Sequence, residues 1–204
     1  MKTHDMKQRS PEWFHRRKGK ITGTGLAKVM GTSAARKKYR YELLAERLST
    51  RTENGEWEDP RERGMRLEPE AIAAFELETG KIVSTVGFCE DDEDPMMANS
   101  PDGLVLKEKA AVEAKCPGEE NHVTTWRENE IPKEYRWQLI QYFVINPELR
   151  RVYYVSYNPD IPRHPLHIII LDRKDCLKDI ELARTAQKEI LKEVNEDLKK
   201  IIKL

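Results

Sequence analysis

Apolar positions along the chain fall into blocks with different periods. In YRYELLAERL, Tyr41, Leu44, Ala45 and Leu48 recur at the spacing of an amphipathic helix. RLEPEAIAAFELETG has the same period, with Pro69 near the helix start and Gly80 at its C′ position. Upstream, Ser10-Pro11-Glu12 reads as an N-cap followed by proline at the first helical position. A short helix over residues 13–17 follows, Gly19 breaks it, and ITGTGLAKVMG gives a turn and a second short helix. TRTENGEWEDP is expected to be an exposed loop. From about residue 81 the pattern changes, and KIVSTVGFCE, PMMAN, GLVLKE and AAVEAKC read as strands. Helices are expected over residues 122–128 and 132–145, then strands at RRVYYVSYN and LHIIILDR. The last thirty residues return to a helical period, with Ile180, Ala183, Gln187, Ile190, Val194, Leu198 and Ile201 in one stripe. Helices, strands, helices, strands, helix is the order of a mixed α/β domain with one central sheet.

Composition narrows the class. A chain of 204 residues, 38% hydrophobic and 35% charged, suits one domain with a sizeable core. No window approaches the eighteen apolar residues of a membrane span. MKTHDMKQRSPEW has charges and no apolar segment, so no secretory signal is expected. Cys89, Cys116 and Cys176 are too few and too scattered for a zinc pattern or a disulfide framework, which predicts a reducing cytoplasm. The net charge is zero but unevenly spread. Residues 1–40, which include Lys18 and Lys20, hold 12 bases against 2 acids, and residues 53–102 hold 15 acids against 4 bases. Such a split suits a polyanion partner and a cation-binding centre, or two segments that complement each other in the fold; charge alone does not separate these.

The stretch SPDGLVLKEKAAVEAKC sharpens the first alternative. Side chains two apart on a strand share a face, so Glu113 and Lys115 project together, with Ala114 and Cys116 opposite. A preceding hairpin arm would bring Asp102 beside Glu113. Two adjacent carboxylates repel unless a cation sits between them, and Mg²⁺ prefers such hard oxygen ligands. A metal-bound water can attack phosphorus while Lys115 positions or deprotonates it or stabilises the developing charge. A hairpin with a cross-strand salt bridge would show the same three residue types. These acids and the lysine, however, sit within apolar runs and not on an alternating solvated face.

The motif S-P-D-G…E-A-K-C-P resembles the metal-binding signature of the PD-(D/E)XK nucleases. More narrowly, it resembles the bacteriophage lambda exonuclease family, the YqaJ-like viral recombinase nucleases. EWFHRRKGKITGTGLAKVM, RGMRLEPEAIAAFE, EYRWQLIQYF, VYYVSYNPD and LHIIILDRKD resemble further blocks of that family, in family order over about residues 10–175. The resemblance implies a PD-(D/E)XK nuclease-like α/β core, a central mixed β-sheet flanked by helices, in a single nuclease domain over residues 1–204. Its parts would be a helix-rich segment 1–80, a catalytic sheet over about 81–173 and a C-terminal helix 174–204. By the same resemblance Asp102 and Glu113 bind metal, Lys115 is the catalytic lysine, Glu68 is the helical acid that joins the site, and Gln138 supports the nucleophile or scissile phosphate. Ile140 stands where the family has a second glutamine, with Gln141 next to it. Arg17, Thr24 and Ser100 match a pocket for the terminal 5′-phosphate. Trp13 is expected as a core anchor, and Tyr135 and Trp137 suit packing or DNA contact equally.

The activity so implied is Mg²⁺-dependent 5′→3′ exonuclease action on double-stranded DNA ends, with Mn²⁺ able to substitute. It would release mononucleotides and leave 3′ single-stranded overhangs. A ring-shaped homotrimer, a single-strand annealing protein as partner, a phage or prophage origin and the cytoplasm of a bacterial host complete the expectation. A related endonuclease or repair nuclease, or a DNA-end-binding protein without activity, are the alternatives.

Overall fold

The computed structural model describes residues 1–48 and 62–202; the segment TRTENGEWEDP lies outside the described residues. The first elements are strand β1 (Lys2–His4) and helices α1 (Pro11–Arg17), α2 (Gly23–Val29), α3 (Ser33–Leu48) and α4 (Glu62–Thr79). Strands β2 (Phe88–Glu90), β3 (Ala98–Asn99), β4 (Gly103–Val105) and β5 (Ala110–Lys115) follow. Helices α5 (Glu119–Glu128) and α6 (Lys133–Ile145), strands β6 (Arg151–Tyr157) and β7 (Leu166–Asp172), and helix α7 (Leu177–Ile202) complete the order.

Local signals act where they were expected. The Ser10 hydroxyl accepts the Trp13 amide hydrogen at 3.3 Å, with Pro11 at the start of α1. Gly80 takes φ +65° and its N–H returns to the Glu76 carbonyl at 2.8 Å, closing α4. Two readings shift. Helix α4 extends upstream to Glu62, so Pro69 lies inside it and not in its first turn. Of KIVSTVGFCE only Phe88–Glu90 joins a ladder; Ser84 makes an isolated bridge to Leu104, and the Val83 N–H goes to the Glu76 carboxylate at 2.7 Å in place of a strand partner.

The central sheet has the order β4-β5-β6-β7. Its outer pairs are antiparallel, and β5–β6 is parallel, bridged by α5 and α6. A second sheet, β1-β2-β3, adds the N-terminal strand that the sequence pattern did not announce. Helix α4 packs on the sheet face carrying Ala110, Val112, Ala114, Tyr153 and Val155. Helices α2, α3, α6 and α7 build the larger core on the opposite face, with Ala111, Val152 and Tyr154. Period two therefore assigns Glu113 and Lys115 to the α6 side.

The α3 stripe is rotated from its expected face: Tyr39, Leu43 and Leu44 are buried, whereas Tyr41 is 52% exposed. Tyr39 meets α2 at Gly25, where an added Cβ would lie 2.0 Å from the Tyr39 hydroxyl. On α7, Ile180, Ala183, Gln187, Ile190 and Val194 are buried as expected, while Ile201 is exposed at the far end.

Candidate active site

The β4–β5 hairpin pairs Gly103 with Val112, which sets Asp102 next to Glu113 at the open end of the ladder. The Asp102 carboxylate accepts the Ala114 N–H at 2.8 Å. Burial and the charges of Glu113 and then Glu68 push the Asp102 carboxyl well above the usual aspartate range. Glu113 is buried and receives three donors. Lys115 forms an ion pair with it, Gln138 Nε2 donates at 2.5 Å, and the Tyr142 hydroxyl donates to the other oxygen. Gln138 and Tyr142 are four residues apart on α6 and so face Glu113 together. Burial pulls the Lys115 ammonium down, but Glu113 and Asp102 outweigh it and hold the group at about 12. Lys115 is thus a cation, 5.1 Å above the Tyr135 ring, and Tyr135 stacks on Tyr154.

The donor set suits a hard divalent cation: adjacent carboxylates whose charges oppose each other are relieved by positive charge between them. Among the described residues no three His, Cys, Asp or Glu side chains group closely enough to enclose a metal. Glu68 projects from α4 and pairs with Arg9 at 2.9 Å, while its charge reaches Asp102.

Arg17 and Ser100 come together. Arg17 Nη1 donates to the Ser100 hydroxyl at 3.4 Å and Nη2 to Thr22 at 3.2 Å, with the guanidinium 4.1 Å above the Trp13 ring. Thr24 stands exposed on the first turn of α2, and among the described residues no hydrogen bond joins it to Arg17 or Ser100. Trp13 anchors this corner, donating its indole N–H to Gly87 O at 3.2 Å and Ser100 Oγ at 3.0 Å while packing on Phe88 and Ala98. Trp137 packs against the larger core.

Gln141 points away from the acids. Its amide donates to Ile21 O, Ala98 O and, at 2.9 Å, Gln187 Oε1, tying α6 to α7. Tyr142, Thr22 and Arg9 were not singled out from the sequence. The i, i+4 spacing of Gln138 and Tyr142 was the available signal for the first; the other two have only their proximity to site residues. Lys20, in the basic segment, donates to buried Glu90 at 2.6 Å and turns inward.

The fold is similar to that of an alkaline exonuclease from Laribacter hongkongensis, at 30% identity, covering 95% of this chain and 97% of that one, with a TM-score of 0.85. The structure of that enzyme in complex with dAMP gives a TM-score of 0.81 at 30% identity, covering 95% of this chain and 99% of that one. A phage-related exonuclease from Haemophilus somnus shares the fold at 14% identity, covering 88% of this chain and 96% of that one, with a TM-score of 0.59. No curated protein sequence matches the chain significantly. Residues 12–146, which carry α1 to α6 and with them the hairpin acids, Lys115 and Gln138, match the YqaJ-like viral recombinase domain, and the chain belongs to that family.

Proposed function

We propose that the protein is a Mg²⁺-dependent 5′→3′ exonuclease acting on double-stranded DNA ends, releasing mononucleotides and leaving 3′ overhangs for recombination by strand annealing. The observation that carries this reading is the adjacent Asp102–Glu113 pair, half-buried and buried, with Lys115 on the same hairpin. The family and the fold shared with an alkaline exonuclease, one that binds dAMP, support it.

Asp102 and Glu113, with Glu68 alongside, would hold the cation. Held there, such an ion would supply a water of lowered pKa and offset charge on the phosphate oxygens. Gln138 and Tyr142 keep Glu113 in one orientation, so its carboxylate does not turn away from Asp102. Lys115, protonated, donates toward charge that develops on the phosphate, a stabilisation that is strong in a site shielded from water. Arg17 and Ser100 form a phosphate-binding corner with Thr22, and Thr24, two residues on, adds a hydroxyl. A ring-shaped homotrimer working with a single-strand annealing protein in a bacterial host fits this activity, because a ring retains the duplex between cuts.

Digestion of linear duplex labelled at either the 5′ or the 3′ end, with and without Mg²⁺, tests the reading. Mononucleotides released first from the 5′ label, only with metal, are expected. Release first from the 3′ label overturns the polarity, and cleavage of a covalently closed circle overturns the requirement for an end. Light scattering should give three times the chain mass.

A further inference from the structure

Among the described residues three non-glycines have positive φ: Arg9 at 65°, Lys109 at 52° and Asn129 at 54°. Asn129 caps α5, a place that asparagine tolerates, and Lys109 ends a short 3-10 turn in the β4–β5 hairpin. Arg9 is the third residue of a turn closed by the Ser10 N–H on Lys7 O at 3.2 Å, a position that favours glycine. Its backbone is therefore strained, and strain of this kind concentrates at functional sites.

Its neighbours locate it at the acidic centre. Gln8 donates to Val86 O and to Pro101 O, each at 3.0 Å, which fixes the turn beside Asp102. Arg9 Nη2 donates to Glu68 at 2.9 Å. The pair is partly solvated, with the arginine side chain 45% and the glutamate 26% exposed. Exposed ion pairs contribute little to stability, too little to offset the backbone strain. The guanidinium is thus better explained by something else that it meets.

We propose that Arg9 contacts substrate: it rests on Glu68 in the free protein and passes to a backbone phosphate of the DNA strand entering beside Asp102, leaving Glu68 to face the acidic centre. A phosphate offers the guanidinium two oxygens in matching geometry and competes well with one half-exposed carboxylate. This inference rests on the nuclease reading.

Arg9→Gly and Arg9→Lys test it by fluorescence anisotropy with a 5′-phosphorylated linear duplex in EDTA across a NaCl series, beside thermal unfolding. Arg9→Gly should keep or raise Tm, because the left-handed backbone suits glycine. It should reduce the slope of log K against log[salt] by about 1, the signature of one lost phosphate contact. Affinity at low salt should fall about tenfold. Arg9→Lys should keep the slope. An unchanged slope in Arg9→Gly, with or without a lower Tm, overturns the proposal, as does a slope lost in Arg9→Lys. A native protein that neither binds nor digests the duplex defeats the nuclease reading itself, a result distinct from those.

Discussion

Asp102 holds the main conflict of the molecule at the residue scale. Its folded pKa is raised, so native stability falls as pH rises past the ordinary aspartate value and the unfolded chain alone releases its proton. Metal-free protein therefore carries a cost at this carboxyl that grows as pH rises, from burial and from the charges of Glu113 and Glu68. Asp102→Asn removes it and should raise Tm in EDTA at pH 8 by a few degrees, since about 1 kcal/mol shifts Tm by about 2–4 °C at this chain size. The gain should shrink toward pH 4, Mg²⁺ should no longer stabilise the variant, and turnover should drop at least about 10²-fold. Arg17 poses a different case, a guanidinium held over the Trp13 ring and bonded to Ser100 and Thr22. Hydrogen bonds to charged groups contribute about 1.5–3 kcal/mol, or roughly ten- to a hundredfold. Native enzyme should digest 5′-phosphorylated duplex faster than 5′-hydroxyl duplex by about that factor. Arg17→Ala should slow the first and spare the second; matched rates in the native enzyme would remove the pocket.

At the scale of elements, the α2–α3 contact decides which side of α3 is buried. Tyr39 meets Gly25 with its hydroxyl end, and a Cβ there would reach within 2.0 Å of the hydroxyl and 2.8 Å of the ring carbon that bears it. Gly25→Ala should destabilise the fold by about 1–3 kcal/mol through overpacking. Tyr39→Phe in the same chain should recover part of that loss by removing the nearest atom, and a double-mutant cycle in urea measures the coupling. Helix α6 has a different division of labour. One face supplies Gln138 and Tyr142 to Glu113, while buried Gln141 bonds to α7 and to the backbone at Ile21 and Ala98. Adjacent glutamine and tyrosine therefore serve structure and site separately.

Over the whole molecule, much of the basic N-terminal segment is neutralised internally. Lys20, His4 and Arg16 surround buried Glu90, and Arg36 and Arg40 pair with acids of α7. Complementary segments thus account for part of the charge split, and Lys20 is committed to Glu90 and unavailable to DNA. Burial alone would raise the Glu90 carboxyl, but hydrogen bonds from Lys20, His4 and Arg16 outweigh it and hold the group at about 2. The resulting stability is present above pH 4.5 and lost as pH falls through about 2. Glu90→Gln should be less stable than the native chain at pH 7 by on the order of 3 kcal/mol, and the gap should close by pH 2. Chemical denaturation across that range measures it; a constant gap would mean that packing, not charge, sets the loss. Among the described residues no helix is long and apolar enough to cross a membrane.

What the sequence by itself determined is what depends on near neighbours. Glu113 and Lys115 share a face because strand side chains alternate, and Asp102 joins them because a short hairpin leaves little choice of register. Ser10, Gly80 and the α7 stripe act through residues within two turns of themselves. Only the tertiary structure decided which distant groups meet. Arg9 reaches Glu68 across 59 positions, Lys20 reaches Glu90 across 70, and β1 pairs with β2 from the other side of four helices. Tyr41 and Tyr39 both satisfy a helical period, and α3 buries the one that fits Gly25. Periodicity states that a face is apolar; which face is covered, and by what, follows from the shape and charge of elements brought together by folding.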